Sequence, residues 1–325
     1  MILLELLVLL VSTAVLAKSS SVVVEKAAKL SIFFGISTLA IGLILISVST
    51  SLPELSVSVL SSTSGDGALA AGNVFGSNIA NILLILGLGG ALYGFSIKRR
   101  ELTDIALILV LTTIISLYII YAASISQRAL AFPEGLVLLG LFAVYIYRVL
   151  SRKAPVEDEK KDREKVSKKE ALGAFLWFCV AIVVVLASAG FVVESAIKIA
   201  AELGLAESFI GATLVAIGTS LPELSVDVQA IRKKQYGLAL GDAIGSNMAN
   251  LTLVLGTAAA INPIIITLPV LVIALLFAIV ANVLLFYVAA TDKRLTRQGG
   301  LLFLGIYGIY LIAIFLAQAG QAMGM

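Results

Sequence analysis

Thr50-Ser-Leu-Pro-Glu-Leu-Ser-Val57 returns unchanged as Thr219-Ser-Leu-Pro-Glu-Leu-Ser-Val226. The same shift of 169 residues lays Gly72 on Gly241 and Gly76-Ser77-Asn78 on Gly245-Ser246-Asn247. It also lays Asn81 on Asn250 and Gly87 on Gly256 without a gap, and Glu25 and Lys29 on Glu194 and Lys198. An ungapped match of this extent is a duplication, so the chain is two copies of one structural unit.

The medium in which the copies fold follows from composition. Of 325 residues, 60% are hydrophobic and 13% charged, with a mean hydropathy of +1.09. Soluble domains run near 45–50% apolar and about 25% charged. A bilayer span takes roughly 20 apolar residues, and charge-poor runs lie near 1–17, 30–62, 67–97, 105–127, 135–147, 171–193, 199–231, 235–261, 264–291 and 298–320. The fold class expected is therefore an all-α integral membrane protein with ten transmembrane helices. Residues 1–17 lack the basic start of a signal peptide and contain Glu5, so they read as the first span.

Residues 151–170 form the one long hydrophilic stretch and divide the chain into a first repeat, 1–150, and a second, 171–325. Five spans per repeat is an odd number, so the second copy enters the membrane from the opposite side, the inverted plan common in secondary transporters. Placing the linker in the cytoplasm puts 21 of the 23 Lys and Arg side chains on that side, leaving only Arg128 and Lys198 opposite. The positive-inside rule then puts both termini outside. The link Ser62-Thr-Ser-Gly-Asp66 is poor in positive charge where its counterpart Ile231-Arg-Lys-Lys-Gln235 is basic, as inversion requires. About 20 linker residues are too few for a separate regulatory domain.

Glu54 is the only charged residue between Leu30 and Gly65, and Glu223 sits likewise in its helix, with Asp227 one turn further on. A carboxylate at membrane depth costs at least about 2.5–3.5 kcal/mol and marks an ion or proton pathway. Thr50, Ser51 and Glu54 share a helix face, as do Thr219, Ser220 and Glu223. Ser77 with Asn81, and Ser246 with Asn250, follow at four-residue spacing. These are hard oxygen donors without imidazole or sulfur, suited to Ca2+ or alkali cations and not to softer metals.

Pro53 and Pro222 free carbonyls near Ser49–Thr50 and Gly218–Thr219. The long motif runs 30–62 and 67–97 accordingly read as broken helices lining a polar cavity. Gly72-x-x-x-Gly76 and Gly241-x-x-x-Gly245 read as packing residues. Asp227 and Asp242 match Ser58 and Asn73, and could line a cytoplasmic approach for cations. For Asp242 the simpler expectation is an N-cap of the eighth span.

With no histidine and a lone Cys179 beside Trp177, the chain offers no disulfide, no His or Cys metal cluster and no nucleophile–base pair for an intramembrane enzyme. A net charge of +3 spread over loops gives no nucleic-acid footprint. An ion channel would also use oxygens and carboxylates, but inverted repeats with broken helices favour alternating access.

The doubled T-S-L-P-E-L and the paired G-x-x-x-G-S-N-x-x-N resemble the calcium/cation antiporter superfamily, and most closely its prokaryotic sodium/calcium exchangers. The resemblance extends over both halves. It implies a plasma-membrane antiporter that expels Ca2+ against entering Na+, with Glu54 and Glu223 as paired central ligands. It further implies backbone oxygens from Thr50 and Thr219, hydroxyls from Ser51, Ser77, Ser220 and Ser246, and amides from Asn81 and Asn250. No cofactor and no obligatory protein partner is implied; the ligands are the transported ions, and the surroundings are lipid. In several sodium-coupled relatives one of the paired amides is Asp, whereas both are Asn here. Two glutamates balance one Ca2+ or two protons, while three Na+ leave one positive charge, so a Ca2+/H+ antiporter with the same site is the alternative. Ser49 in place of Gly218 is expected to affect local packing only.

Overall fold

The computed structural model describes residues 2–65, 67–99, 102–126, 130–151, 166–202, 216–264 and 268–322. Arg128 and most of the 151–170 linker lie outside the described residues. In chain order the helices are α1 (Ile2–Phe34), α2 (Thr38–Thr50), α3 (Leu52–Thr63), α4 (Gly67–Tyr93), α5 (Leu102–Ser126) and α6 (Phe132–Leu150). After the linker come α7 (Lys168–Glu202), α8 (Ala216–Thr219), α9 (Leu221–Arg232), α10 (Tyr236–Ile261), α11 (Leu268–Ala290) and α12 (Arg297–Ala322). Two short strands, β1 (Phe95–Ser96) and β2 (Arg294–Leu295), pair antiparallel with Phe95 opposite Leu295.

Among the described residues, seven helices are long and apolar enough to cross a membrane, eight if α2 and α3 count as one bent span. Many large apolar side chains point outward, including Leu3, Leu10, Trp177, Val183 and Phe315. On a soluble monomer so much exposed apolar surface would be a liability; in a bilayer it is the face that meets lipid.

The chain divides into two compact units, residues 1–53 with 149–242 and residues 54–148 with 243–325. Each unit therefore takes one part from each half of the chain. In the first unit α1 packs along α7 and also touches α9 and α2. Lys198 pairs with Glu5 at 3.5 Å, and Lys29 with Glu170 at 3.5 Å, so α1 and α7 run antiparallel. Val23, Val24, Ala27 and Leu30 of α1 and Val185 and Ala189 of α7 are buried.

The first expected span, 1–17, is longer in the structure. α1 is one helix of 33 residues, and Lys18, Lys26 and Lys29 lie along it instead of in a loop. At 1.5 Å per residue such a helix is roughly 50 Å long, against about 30 Å of hydrocarbon. It has length to carry basic side chains beyond the apolar layer. α7, with 35 residues, repeats this in the second half.

In the second unit α4 packs against α12 and α11, and α5 against α11. Phe75, Ile79, Ile82, Leu83, Ile85 and Leu86 of α4 are fully covered. In α4 and in α10, 78% of the apolar window is buried, against 17% in α12, so α4 and α10 are the inner helices. The expectation of a broken helix over 67–97 does not hold. α4 runs unbroken from Gly67 to Tyr93, with a π-helical stretch at Ala80–Leu86 absorbing the irregularity. No proline interrupts it. The run 30–62 is broken as expected, α2 and α3 meeting at 45°.

Candidate ion-binding site

The bend between α2 and α3 falls at Ser51, whose φ of −79° and ψ of 8° leave the helical region. Ser220, its counterpart by the 169-residue shift, has φ −90° and ψ 8° between α8 and α9. The shared cause is the proline two residues on. Pro53 and Pro222 have no N–H to donate, so the carbonyls of Ser49 and Gly218 lose their helical partners. Each glutamate follows in the first turn of the new helix, where the positive end of the helix dipole favours a carboxylate. The preceding half-helix ends at Thr50 or Thr219 with its negative end, which favours a cation. Glu54 and Glu223 are each 1% exposed.

In the first unit, the Ser51 hydroxyl donates to Glu223 Oε1 at 3.5 Å, joining a residue of the first motif to the carboxylate of the second. Thr50 and Ser220 are buried and Thr219 half-buried. The Thr50 hydroxyl lies 3.1 Å from Asp242 Oδ1 and 3.2 Å from the Ile46 carbonyl, and donates to one at a time. This contact depends on a close backbone crossing. A Cβ on Gly42 would sit 2.5 Å from the Leu238 carbonyl and 2.9 Å from the Asp242 nitrogen, and one on Gly241 would strike the Leu39 carbonyl. Only glycine at both positions lets α2 and α10 approach so closely. Gly241 is thus the packing residue its motif predicts, whereas Gly72 has nothing within 4 Å of its Cβ position among the described residues.

Asp242 does not cap the eighth span. α10 begins at Tyr236, because Lys234 takes a φ of +60° and closes the preceding turn. Asp242 therefore lies in the second turn of the helix. Neither it nor Asp227 lines an open approach, since both are wholly buried.

In the second unit, the Ser77 hydroxyl donates to Glu54 Oε1 at 3.2 Å. Asn73 Nδ2 donates to the Glu54 carbonyl at 3.1 Å and to Ser58 Oγ at 3.0 Å. Ser246 is fully buried on α10. The side-chain amides of Asn81 and Asn250 are held by two residues whose role the motif spacing alone did not reveal. Asn78 Nδ2 donates to the Asn247 carbonyl at 3.3 Å, and Asn247 Nδ2 returns the bond to the Asn78 carbonyl at 3.1 Å. Asn81 Nδ2 donates to Asn247 Oδ1 at 3.0 Å, and Asn250 Nδ2 to Asn78 Oδ1 at 3.1 Å. Because 81 meets 247 and 250 meets 78, α4 and α10 run antiparallel here.

The clasp fixes both amide orientations. With their nitrogens held, Asn81 and Asn250 keep their Oδ1 atoms buried and without a hydrogen-bond donor. Two preorganised oxygens in that condition are suited to a cation. The π-helical stretches begin at this level, at Ala80 and Asn250, and π segments inside α-helices occur frequently at functional sites. Beyond the clasp, Asn78 and Asn247 line a small polar cavity with Thr112, Ser116 and Asn282. Among the described residues no three acidic or Cys side chains converge on one point. The donors are hydroxyls, amides and carbonyls around separate carboxylates.

Comparison with known proteins bears on this donor set. The profile described as sodium/calcium exchanger protein matches residues 4–151 and 173–316. The uncharacterized membrane protein MJ0091 of Methanocaldococcus jannaschii is 31% identical over 281 residues, covering 86% of this chain and 88% of that protein. The sodium/calcium exchanger MaX1 of Methanosarcina acetivorans is 29% identical over 97% of this chain and 99% of its own length. A solved structure of the sodium-calcium exchanger NCX_Mj, soaked with Na+ and no Ca2+, superposes with a TM-score of 0.81. It is 28% identical and covers 97% of this chain and 99% of that one.

Proposed function

The chain belongs to the sodium/calcium exchanger protein family, and from that membership we propose that it is a secondary antiporter carrying Ca2+ against Na+ by alternating access. It is a multi-pass membrane protein. The observation that carries the reading is the pair of buried glutamates, each opening a helix after the same bend in an identical octapeptide.

In this reading Glu54 and Glu223 are the charged ligands of the transported ions. Thr50 and Thr219 offer backbone oxygens, Ser51, Ser77, Ser220 and Ser246 hydroxyls, and Asn81 and Asn250 amide oxygens. The ions are cargo, and no cofactor enters. Ten spans in two inverted repeats, 1–150 and 171–325, complete the architecture, with the 151–170 linker cytoplasmic and both termini outside. The antiparallel course of repeat-related α1 and α7, and of α4 and α10, supports the inversion. Alternating access follows if the first and sixth spans slide against the other eight.

A second reading, Ca2+/H+ exchange at the same site, is favoured by one feature: both amide positions are Asn, leaving three Na+ short of one balancing charge. Ca2+ uptake into proteoliposomes at fixed pH, with and without an outward Na+ gradient, separates the two. Uptake that needs Na+ and ignores a pH gradient is expected. Uptake that follows the pH gradient alone would replace Na+ by H+. Undiminished uptake by Glu54→Gln would remove the site assignment.

A further inference from the structure

We infer that Asp227, Asp242 and the Thr50 hydroxyl form a further site for a hard metal cation, present only in the second copy of the repeat. The comparison of copies leads to it. In the first copy the equivalent positions are Ser58 and Asn73, and they close on each other through Asn73 Nδ2 and Ser58 Oγ at 3.0 Å. That contact is neutral and complete. In the second copy both residues are carboxylates, and the amide donor that joined the pair is gone.

Asp227 carries the argument. It is 0% exposed, and among the described residues no N–H or hydroxyl donates to either carboxylate oxygen; its side chain lies within hydrogen-bonding reach of the Asp242 carboxyl. Among the described residues it forms no ion pair. The charges that bear on it are Asp242 and Glu223, both of its own sign. A buried carboxylate that stays ionised is paired or coordinates a metal, and like charges gathered in a low-dielectric interior stay ionised only with a positive partner. Two carboxylates and a hydroxyl are hard donors that fit Na+ or Ca2+ and not a soft metal. The crossing at Gly42 and Gly241 presses the α10 backbone against α2, which holds Asp242 beside Thr50 whether or not an ion is present.

The site deepens the exchange reading and rests on it for its role. Asp227 lies one helical turn beyond Glu223, so a cation there sits next to the proposed transport carboxylate. It also supplies negative charge on the second-copy side, where Asn250 supplies none.

The test counts bound ions on the purified full-length protein in detergent, by equilibrium dialysis at fixed pH with radioactive Ca2+ or Na+. The decisive variant is Asp227→Ser with Asp242→Asn, which installs the pair that the first copy already folds with. Wild type is expected to bind one more cation per chain than this double variant, and Glu54→Gln to keep that extra ion. A difference seen only with Ca2+, or only with Na+, assigns the ion. Equal counts for both ions would overturn the site and leave the pair sharing a proton. Asp227→Asn, nearly identical in shape, makes the same comparison if the double variant does not fold. Failure of Na+-driven Ca2+ uptake in wild type would sink the exchange reading while leaving the ion count to stand alone.

Discussion

The two copies of the motif differ less in backbone than in chemistry. The helices bend at Ser51 and Ser220 with nearly the same dihedral angles. The turns that follow use a positive φ at Gly65 and at Lys234, closed by Gly65 N to Ser62 O at 3.0 Å and Lys234 N to Ile231 O at 2.9 Å. All three pairs of positions correspond under the 169-residue shift. Around this common frame, Ser58 and Asn73 have become Asp227 and Asp242, and a glycine has become lysine. What duplication has preserved is the geometry that places a carboxylate after a bend. The side chains one turn away have been free to diverge.

If the two glutamates hold equivalent roles, Glu54→Gln and Glu223→Gln should fail alike. Removing one partner from a buried charged site costs about 3–5 kcal/mol, which is at least a hundredfold in binding at about 1.4 kcal/mol per decade. Ca2+ uptake into proteoliposomes should drop to background in both variants. Retained uptake in one of them would break the equivalence of the copies.

The asparagine clasp is the next largest effect. Asn247→Ala removes the acceptor that holds the Asn81 amide and one donor to the Asn78 carbonyl. Losing a hydrogen bond and stranding a buried group costs roughly 1–3 kcal/mol, so the KM for Ca2+ should rise about tenfold while the protein remains folded. Asn78→Ala should do the same through Asn250. A control isolates the mechanism. In an Asn81→Asp background both side-chain oxygens are equivalent, orientation no longer matters, and Asn247→Ala should cost little. An undiminished cost there would make the clasp purely structural.

Smaller again is the helix crossing. Gly241→Ala forces a Cβ into the α2 backbone, and overpacking of this kind costs typically about 1–3 kcal/mol. A lower melting temperature in detergent is the readout. Gly72→Ala, at the matching position in the first copy, makes the comparison, and a smaller loss is expected because no described residue comes within 4 Å of a Cβ there. An equal loss at Gly72 would show that both copies use the crossing.

The sequence made some of this legible and left the rest to packing. Duplication, membrane residence and the bend at Pro53 are local or compositional signals. They survive because a missing N–H acts on its own helix wherever the helix sits. The end of α1 was less legible, because Lys18, Lys26 and Lys29 resemble a loop, whereas the helix runs on through all three. The π stretch at Ala80–Leu86 has no proline to announce it. Asp242 read as a cap because aspartate is favoured there, but the cap position is fixed by the turn at Lys234, eight residues earlier. Asn78 and Asn247 were visible as repeated letters. Their purpose needed the antiparallel meeting of α4 and α10, which no spacing within either helix contains.

The smallest expected effect tests that turn. Lys234 occupies the left-handed region at φ +60°, where a Cβ crowds the following carbonyl and costs roughly 1–2 kcal/mol relative to glycine. Part of any gain from Lys234→Gly is offset by the greater freedom of glycine in the unfolded chain. A net stabilisation of about 0.5–1 kcal/mol is expected for Lys234→Gly, with Gly65→Lys costing a similar amount, both read as shifts in melting temperature. The lysine that persists against this strain stands in the basic turn proposed to face the cytoplasm, where its charge favours one orientation of the second copy. Lys234→Gly should therefore stabilise the folded protein while weakening its topological bias. Lys234→Arg should leave both unchanged, since it keeps the charge and the Cβ together. Equal melting temperatures for wild type and Lys234→Gly would mean that the turn carries no strain, and the difference between the two copies at this position would reduce to charge alone.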